Sequence, residues 1–320
     1  MRTTRMIELL DRLNPQEGAR PSLIDGVTLL RTTCSSARTA VLYEPCIVIV
    51  AQGRKRFHLP ERILTYDAER YLVLTVPVPA DCETEALDNE PFLGVAIRIN
   101  LAALSDLLMK MGPAQSPKRA QGTDVFIGTP LMNDLLSEAT IRLLECLASP
   151  IEARVLGPEL VRELTFRVLC GEEGGNLLNL LLANGNRSRI HRILHRMHVE
   201  YTLAFDVPSL AREAGMSVSA LHEHFKAVTA TSPVQYLKTI RLHKARTLMV
   251  QDALPASVAA ERVGYDSPSQ FSREFKRLFG APPADEAERV RAVFGITNEA
   301  QRDFHVPISA PLVNEGASVG

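Results

Sequence analysis

Apolar positions follow two rhythms along this 320-residue chain, with short β-type runs in the first third and helical spacing beyond it. Met6 to Leu13 places Ile7, Leu9, Leu10 and Leu13 on one face of a short amphipathic helix, ended by Asn14-Pro15. From Val27 the pattern changes to Val27-Thr28-Leu29-Leu30, Cys46 to Val50, Phe57-His58-Leu59, Ile63 to Tyr66, Tyr71 to Val76 and Phe92 to Ile99. Turn residues at Glu44-Pro45, Gln52-Gly53, Pro60-Glu61, Pro77 to Ala80 and Asn89-Glu90-Pro91 separate these runs, and such spacing predicts a small barrel or sandwich. Helical spacing then takes over. Leu131, Leu135, Ala139, Leu143 and Leu147 recur every fourth residue, and Leu160, Leu164, Phe166 and Leu169 follow between Pro158 and Leu169. These stripes fit core packing or a dimer interface equally well. Glu172 to Asn176 reads as a break, and Asn184 to Ser188 as an interdomain linker.

Arg189 to Tyr201 forms a packing helix through Ile190, Ile193, Leu194 and Met197. One helix-turn-helix pattern then appears twice between residues 206 and 283. Ala211 and Ala260 lie 49 residues apart, as do Gly215 and Gly264, whereas Leu221 and Phe271, Phe225 and Phe275, Lys226 and Lys276, and Pro233 and Pro283 are all 50 apart. One residue is therefore inserted in the second turn. An inward alanine lets two helices approach, a glycine four residues on supplies the positive φ that ends the first helix, and a serine caps the second. Apolar residues at i and i+4 pack that second helix back, so its polar face points outward as a major-groove reader requires. Between the two motifs, Pro233 to Gln251 predicts a linker helix. Its buried stripe is Tyr236, Leu237, Ile240, Leu242, Ala245, Leu248 and Met249, and its solvated face is Lys238, Arg241, Lys244 and Arg246.

The run from Gly264 through Gly280, followed by Pro282-Pro283 and preceded by the first copy, resembles the DNA-binding domain of the AraC/XylS family of bacterial transcription regulators. The resemblance implies two helix-turn-helix units held by the linker helix. The first half is similar to the amino-terminal effector domain of one AraC-type subfamily. It does so through Tyr43-Glu44-Pro45, Ile47 to Lys55 with its Gln52-Gly53, Tyr66-Asp67, Tyr71, Pro77 and Pro79. That likeness implies a cupin-like β-barrel that senses a ligand and aids dimerisation. The expected fold is thus a two-domain α+β chain. Residues 1–185 form the cupin-like barrel with a helical dimerisation segment, 186–291 an all-α double helix-turn-helix domain, and 292–320 a flexible tail.

The net charge of −1 conceals a segregation. Residues 186–280 carry 14 Lys/Arg against 8 Asp/Glu, a net of +6, while residues 1–185 stand at −4 and the tail at −3. Basic charge gathered in one segment is the footprint of a phosphate-binding surface. With 46% hydrophobic and 23% charged residues the composition is ordinary globular material. No apolar run approaches a membrane span, and the start is not a signal sequence, so the expected location is the cytoplasm with no membrane partner. Five scattered cysteines (Cys34, Cys46, Cys82, Cys146, Cys170) without a CxxC predict neither a disulfide framework nor a zinc knuckle.

Enzyme chemistry finds no support. His58 is the single histidine of residues 1–185, so a metallocupin ligand set is missing, and no nucleophile-elbow pattern is present. No catalytic residue, metal or cofactor is therefore expected. A repair alkyltransferase would need a zinc-held acceptor cysteine, against which the cysteine spacing argues. His191, His195 and His198 share a helix face but lack a Cys or acidic partner, and are expected to be solvated or to face phosphates.

The expected DNA-facing residues are Ser217, Ser219, His222, Glu223 and Lys226 in the first motif, and Ser267, Ser269, Gln270, Ser272, Arg273, Lys276 and Arg277 in the second. Arg273 suits bidentate contact to guanine, Gln270 suits adenine, and Lys226, Lys276 and Arg277 suit phosphates. The resemblance implies that Ser219, Glu223, Ser269 and Arg273 face bases, and at Glu223 the family often has a basic or amide residue. A carboxylate there reads cytosine, repels the backbone, or merely pairs with a nearby cation. The two readers are expected about one DNA turn apart, roughly 34 Å. The reading is a ligand-responsive activator with three partners: double-stranded DNA, a small-molecule effector and RNA polymerase, acting as a homodimer. A repressor, a ligand-independent regulator and a cysteine-based thiol or aldehyde sensor through Cys34, Cys46 or Cys82 stay open beside it.

Overall fold

The computed structural model describes residues 2–59, 62–86, 90–117, 126–181, 186–229 and 231–294. The chain opens with α1 (Arg2–Leu13) and nine strands: β1 (Gly18–Pro21), β2 (Val27–Thr32), β3 (Ser36–Tyr43), β4 (Cys46–Gln52), β5 (Arg54–Leu59), β6 (Arg62–Asp67), β7 (Leu72–Leu74), β8 (Val78–Glu85) and β9 (Phe92–Arg98). Then come α2 (Leu101–Gln115), β10 (Ile127–Gly128), α3 (Asp134–Cys146), α4 (Pro150–Val155), α5 (Gly157–Leu169) and α6 (Gly174–Leu181). Seven helices follow: α7 (Asn186–Val199), α8 (Val207–Glu213), α9 (Val218–Thr229), α10 (Pro233–Gln251), α11 (Ala256–Arg262), α12 (Pro268–Phe279) and α13 (Pro283–Phe294).

The strands make two antiparallel sheets, one ordered β1-β2-β9-β4-β7-β10 and the other β3-β8-β5-β6. No ladder joins them among the described residues, so the expected barrel is an open two-sheet sandwich. Closure would require the outer strands to share a ladder, and the larger sheet ends in a strand of four residues at one side and two at the other. Tyr43, Phe57, Tyr66 and Phe92 fill the space between the sheets, each 0–1% exposed. The outer face of the larger sheet (Ile47, Ile49, Val95, Ile97) is covered by Met6, Leu9 and Leu10 of α1 and by Leu143, Leu144 and Leu164 of α3 and α5. Strands β4 and β9 are thus buried on both faces, which explains why their runs are continuously apolar instead of alternating.

Two readings of the sequence are corrected here. Pro77 to Ala80 is not a turn throughout, because β8 starts at Val78 and pairs with β3 from Val78↔Tyr43 to Cys82↔Thr39. The break expected over 172–176 lasts only to Glu173, where α6 begins at Gly174. The leucine stripe expected from Leu131 to Leu147 splits, because α3 starts only at Asp134: Ala139, Leu143 and Leu147 are core, while Leu131 and Leu135 stay 53% and 54% exposed. The linker expected at 184–188 lies outside the described residues up to 185 and is helical in α7 from Asn186. The tail beyond 294 lies outside them entirely.

The helical half packs onto the sandwich. Tyr236 of α10 donates from its buried hydroxyl to the Pro77 carbonyl at 2.8 Å, and His191 of α7 meets the Thr75 carbonyl at 3.0 Å. Glu44 contacts both His198 at 3.3 Å and Lys244 at 3.5 Å. Burial pushes the Glu44 carboxyl up, but the His198 hydrogen bond and Lys244 charge outweigh it, so its pKa lies below the usual value. The apolar core of the first helical motif (Leu210, Leu221, Phe225, Tyr236, Ile240) runs on into the sandwich core. The second motif has a separate core of Leu242, Ala259, Ala260, Phe271, Phe275 and Val290.

Candidate nucleic-acid interface

Each motif builds its turn by the same local rules. Asp206 caps α8 by accepting from the Ser209 amide at 2.9 Å, and Pro208 occupies the first turn, where its missing N–H costs nothing. Gly215, at φ +59°, turns the chain, and the Met216 amide reaches back to the Ala211 carbonyl at 2.9 Å. In the second motif Gly264 takes φ +86°, and Tyr265 makes the equivalent bond to Ala260 at 3.0 Å. Ser217 and Ser267 are helix caps, accepting from Ala220 at 3.2 Å and from Gln270 at 3.3 Å. Their role is to start the reading helices.

Beyond the caps, α9 buries Leu221 and Phe225 and exposes Ser219, His222, Glu223 and Lys226. Helix α12 buries Phe271 and Phe275 and exposes Ser269, Ser272, Arg273, Lys276 and Arg277. None of these nine exposed side chains has a hydrogen bond or ion pair among the described residues, and the sandwich leaves both faces open. Glu223 has no cation partner among the described residues. Gln270 differs. Its amide donates one N–H to Glu274 at 3.1 Å within the same helix, leaving the second N–H and the carbonyl oxygen for a base.

Glu274 shows why. It is buried at 8% exposure in the middle of a basic reading helix and accepts from Tyr265 Oη at 2.8 Å, Lys238 Nζ at 2.7 Å and Gln270. Burial raises its pKa, and the hydrogen bonds from Lys238, Gln270 and Tyr265 more than reverse this, leaving a net downward shift. The carboxylate thereby ties α12 to α10 and to its own turn.

The cationic face expected on α10 is not solvated. Lys238 holds Glu274, Lys244 holds Glu44, and Arg246, 8% exposed, lies 3.4 Å from Glu286 and 4.8 Å over the Phe279 ring. Arg241 donates to four carbonyls from two segments, Tyr201 at 2.7 Å, Thr202 at 3.4 Å and Leu203 at 2.9 Å in one and Gly264 at 2.7 Å in the other. Beyond its exposed first turn at Val234 and Gln235, helix α10 is flanked closely enough for these four long side chains to find protein partners. Arg189 of α7 does for the first turn what Arg241 does for the second, donating to Ala214 and Gly215 at 3.1 and 3.2 Å. Each turn glycine is therefore held through its carbonyl by an arginine from the preceding long helix. Sequence reasoning missed this because periodicity reports which face is polar and not what covers it.

Two of the three histidines of α7 are corrected similarly, while His195 is exposed as expected. His191 and His198 turn to the sandwich, through the Thr75 carbonyl and Glu44, instead of to solvent or phosphate. Burial pushes the His191 imidazole down. Among the described residues no group of three metal-ligating side chains gathers. Cys46 and Cys82 lie in the sandwich core, where burial pushes both thiols up to about 12, unsuited to thiolate chemistry at neutral pH. Cys34 is exposed. No described helix is long and apolar enough to cross a membrane.

Comparison with known proteins gives two family matches. Residues 23–176 match the AraC-type transcriptional regulator N-terminus, and residues 210–289 a helix-turn-helix domain. The RCS-specific HTH-type transcriptional activator RclR of Escherichia coli is 37% identical over 116 residues, 36% of this chain and 39% of RclR. The HTH-type transcriptional regulator GlxA of Rhizobium meliloti is 32% identical over 104 residues, 32% of each chain. The match thus spans well under half of these relatives. Among solved structures, ToxT of Vibrio cholerae, crystallised with an unsaturated fatty acid, superposes with a TM-score of 0.58 at 14% identity, covering 85% of this chain and 96% of that one. This likeness concerns the fold of both halves together.

Proposed function

We propose, for a chain that belongs to the AraC-type transcriptional regulators, that α9 and α12 enter successive major grooves of one DNA site. The carrying observation is the pair of exposed polar faces on two helices, nine of whose side chains have no partner among the described residues and whose turns are fixed by the same backbone bond, on a segment of net charge +6. Arg273 takes a guanine edge, Ser219, Glu223 and Ser269 complete the base contacts, and Lys226, Lys276 and Arg277 take phosphates. His222 and Ser272 flank them.

The sandwich serves as the cupin-like effector module. Its contacts to α7 and α10 are the route by which a small molecule shifts the DNA-binding half between states of different DNA affinity. The working form is a cytoplasmic homodimer acting as an activator that contacts RNA polymerase. Helices α3 to α6 and the exposed Leu131 and Leu135 supply the dimer surface.

Genome-wide capture of bound DNA followed by footprinting tests this. Two protected major-groove segments about one turn apart, with the segment under α12 lost in Arg273→Ala, support it. Sequence-blind binding by both the full chain and residues 186–291 refutes it.

A further inference from the structure

Helix α12 carries one base-facing candidate whose side chain is already held. Gln270 is the third residue of the helix and is half-buried, and it shares a face with Arg273 and Arg277, three and seven residues on. The first residues of a reading helix are those that reach base edges in a major groove. Here the backbone of that position is fixed, since the Gln270 amide N–H donates to the Ser267 hydroxyl at 3.3 Å. The side chain is fixed as well, through the 3.1 Å bond from its Nε2 to Glu274 Oε1.

Glu274 is not free to turn with it. Its Oε1 also accepts from Lys238 Nζ of α10 at 2.7 Å, and its Oε2 accepts from Tyr265 Oη in the turn at 2.8 Å. Tyr265 in its turn packs edge-on against the Phe271 ring at 5.4 Å. Two groups outside α12 therefore set where the carboxylate stands. A carboxylate only accepts, so the nitrogen of the Gln270 amide must face it, and the carbonyl oxygen must point the other way. A primary amide that rotates freely presents its oxygen and its nitrogen in either order. In α12 the order is set before DNA arrives.

What remains is the outer edge of the amide, one N–H beside one carbonyl oxygen. Adenine offers the complement in the major groove, N7 as acceptor and N6–H as donor, whereas guanine offers two acceptors there. A side chain held in advance also loses less freedom on binding than a free one. We propose that Glu274 is a positioning residue for base recognition: with Lys238 and Tyr265 it presets the Gln270 amide as an adenine reader. The proposal rests on α12 entering a major groove, as argued above. The first motif has no counterpart, because Ala220, fifty residues before Gln270, carries no amide. The preset adenine contact thus belongs to the part of the DNA site under α12.

The test is selection of binding sites from random double-stranded DNA by the full chain and its variants, with base preferences read at every position. The unaltered chain shows one position where adenine exceeds each other base by about fivefold or more, and Gln270→Ala removes that preference. Glu274→Met keeps the length of the side chain but offers no oxygen, and brings adenine there to within about twofold of the other bases, with the guanine under Arg273 unchanged. Glu274→Gln retains the preference, because its amide oxygen still accepts from Lys238 and Gln270. Should Glu274→Met not fold, hydrogen exchange at the Gln270 side-chain amide of the unaltered, DNA-free chain is read by NMR: one proton is protected and the other is not. A selected site with no adenine that depends on Gln270 overturns the proposal, as does an undiminished preference in Glu274→Met. Uniform weakening at every position in Glu274→Met, an equal loss in Glu274→Gln, or two equally unprotected amide protons overturns it too. Sequence-blind selection by the unaltered chain refutes the regulator reading and this proposal with it, whereas a selected site without the adenine dependence refutes the proposal alone.

Discussion

Gly264 and Gly280 allow a backbone conformation and a steric clash to be weighed separately. Their φ values are +86° and +81°, so alanine meets nearly the same left-handed backbone cost at both, about 1–2 kcal/mol. Around Gly280 an added Cβ meets nothing within 4 Å. Around Gly264 it lies 2.7 Å from the Thr202 carbonyl oxygen and 3.1 Å from Arg241 Nη2. The arginine end can swing aside, but the carbonyl belongs to backbone that Arg241 itself anchors, so the 201–203 segment must move and the clamp loosens. Overpacking of this kind adds about 1–3 kcal/mol. Gly280→Ala is therefore expected to cost about 1–2 kcal/mol, and Gly264→Ala about 2–5 kcal/mol. Urea unfolding of both variants at matched slope measures the difference, and footprinting shows protection under α12 weakening more in Gly264→Ala. Equal midpoints for the two variants would refute the argument, since they would mean that the Thr202 contact carries no weight.

Three further outcomes follow from the same contacts. Tyr236→Phe removes the hydroxyl that satisfies the buried Pro77 carbonyl, and urea unfolding should register a loss of about 1–2 kcal/mol; no loss would mean that water replaces it. Arg241→Lys keeps the charge but one ammonium cannot span carbonyls from two segments, so a loss of about 1–2 kcal/mol and weaker operator binding are expected, measured by unfolding and gel shift. Lys55 is buried in the sandwich over the Phe92 ring, and burial pushes its pKa down to about 8 from an ordinary 10.5. A lowered lysine disfavours the folded state below about 8, and the penalty fades as pH rises to 10.5, so native stability relative to Lys55→Met should climb by about 3 kcal/mol across that window in pH-dependent unfolding.

The helix-turn-helix pair was legible in the sequence because its determinants are local. Gly215 and Gly264 must take positive φ, Ser217 and Ser267 must cap, and Leu221, Phe225, Phe271 and Phe275 must repeat at four-residue spacing. Strands β4 and β9 were legible because both faces are buried. Strand β8 was not, since Pro79 and Ala80 resemble a turn and only pairing with β3, far away in sequence, makes them a strand. The partners of Lys238, Arg241, Lys244 and Arg246 were hidden for the same reason: a charged helix face reads as solvated until its covering elements are known. His191 and His198 looked like one chemical cluster, yet each is spent on a separate contact with the sandwich.

The continuity of the first motif's core with the sandwich, and the separateness of the second's, makes the two readers mechanically unequal. Helix α9 is in effect a fixed jaw, unable to change its pose without disturbing Tyr236 and the sheets beneath it. Helix α12 is a jaw on an arm, with its own core and meeting the rest along α10 and at the edge of β3. Opening of the second unit alone leaves the larger core intact, so it lies at lower free energy than opening of the first. A site on DNA would then be gripped in order, its invariant half set by the fixed jaw and its spacing tolerance by the arm.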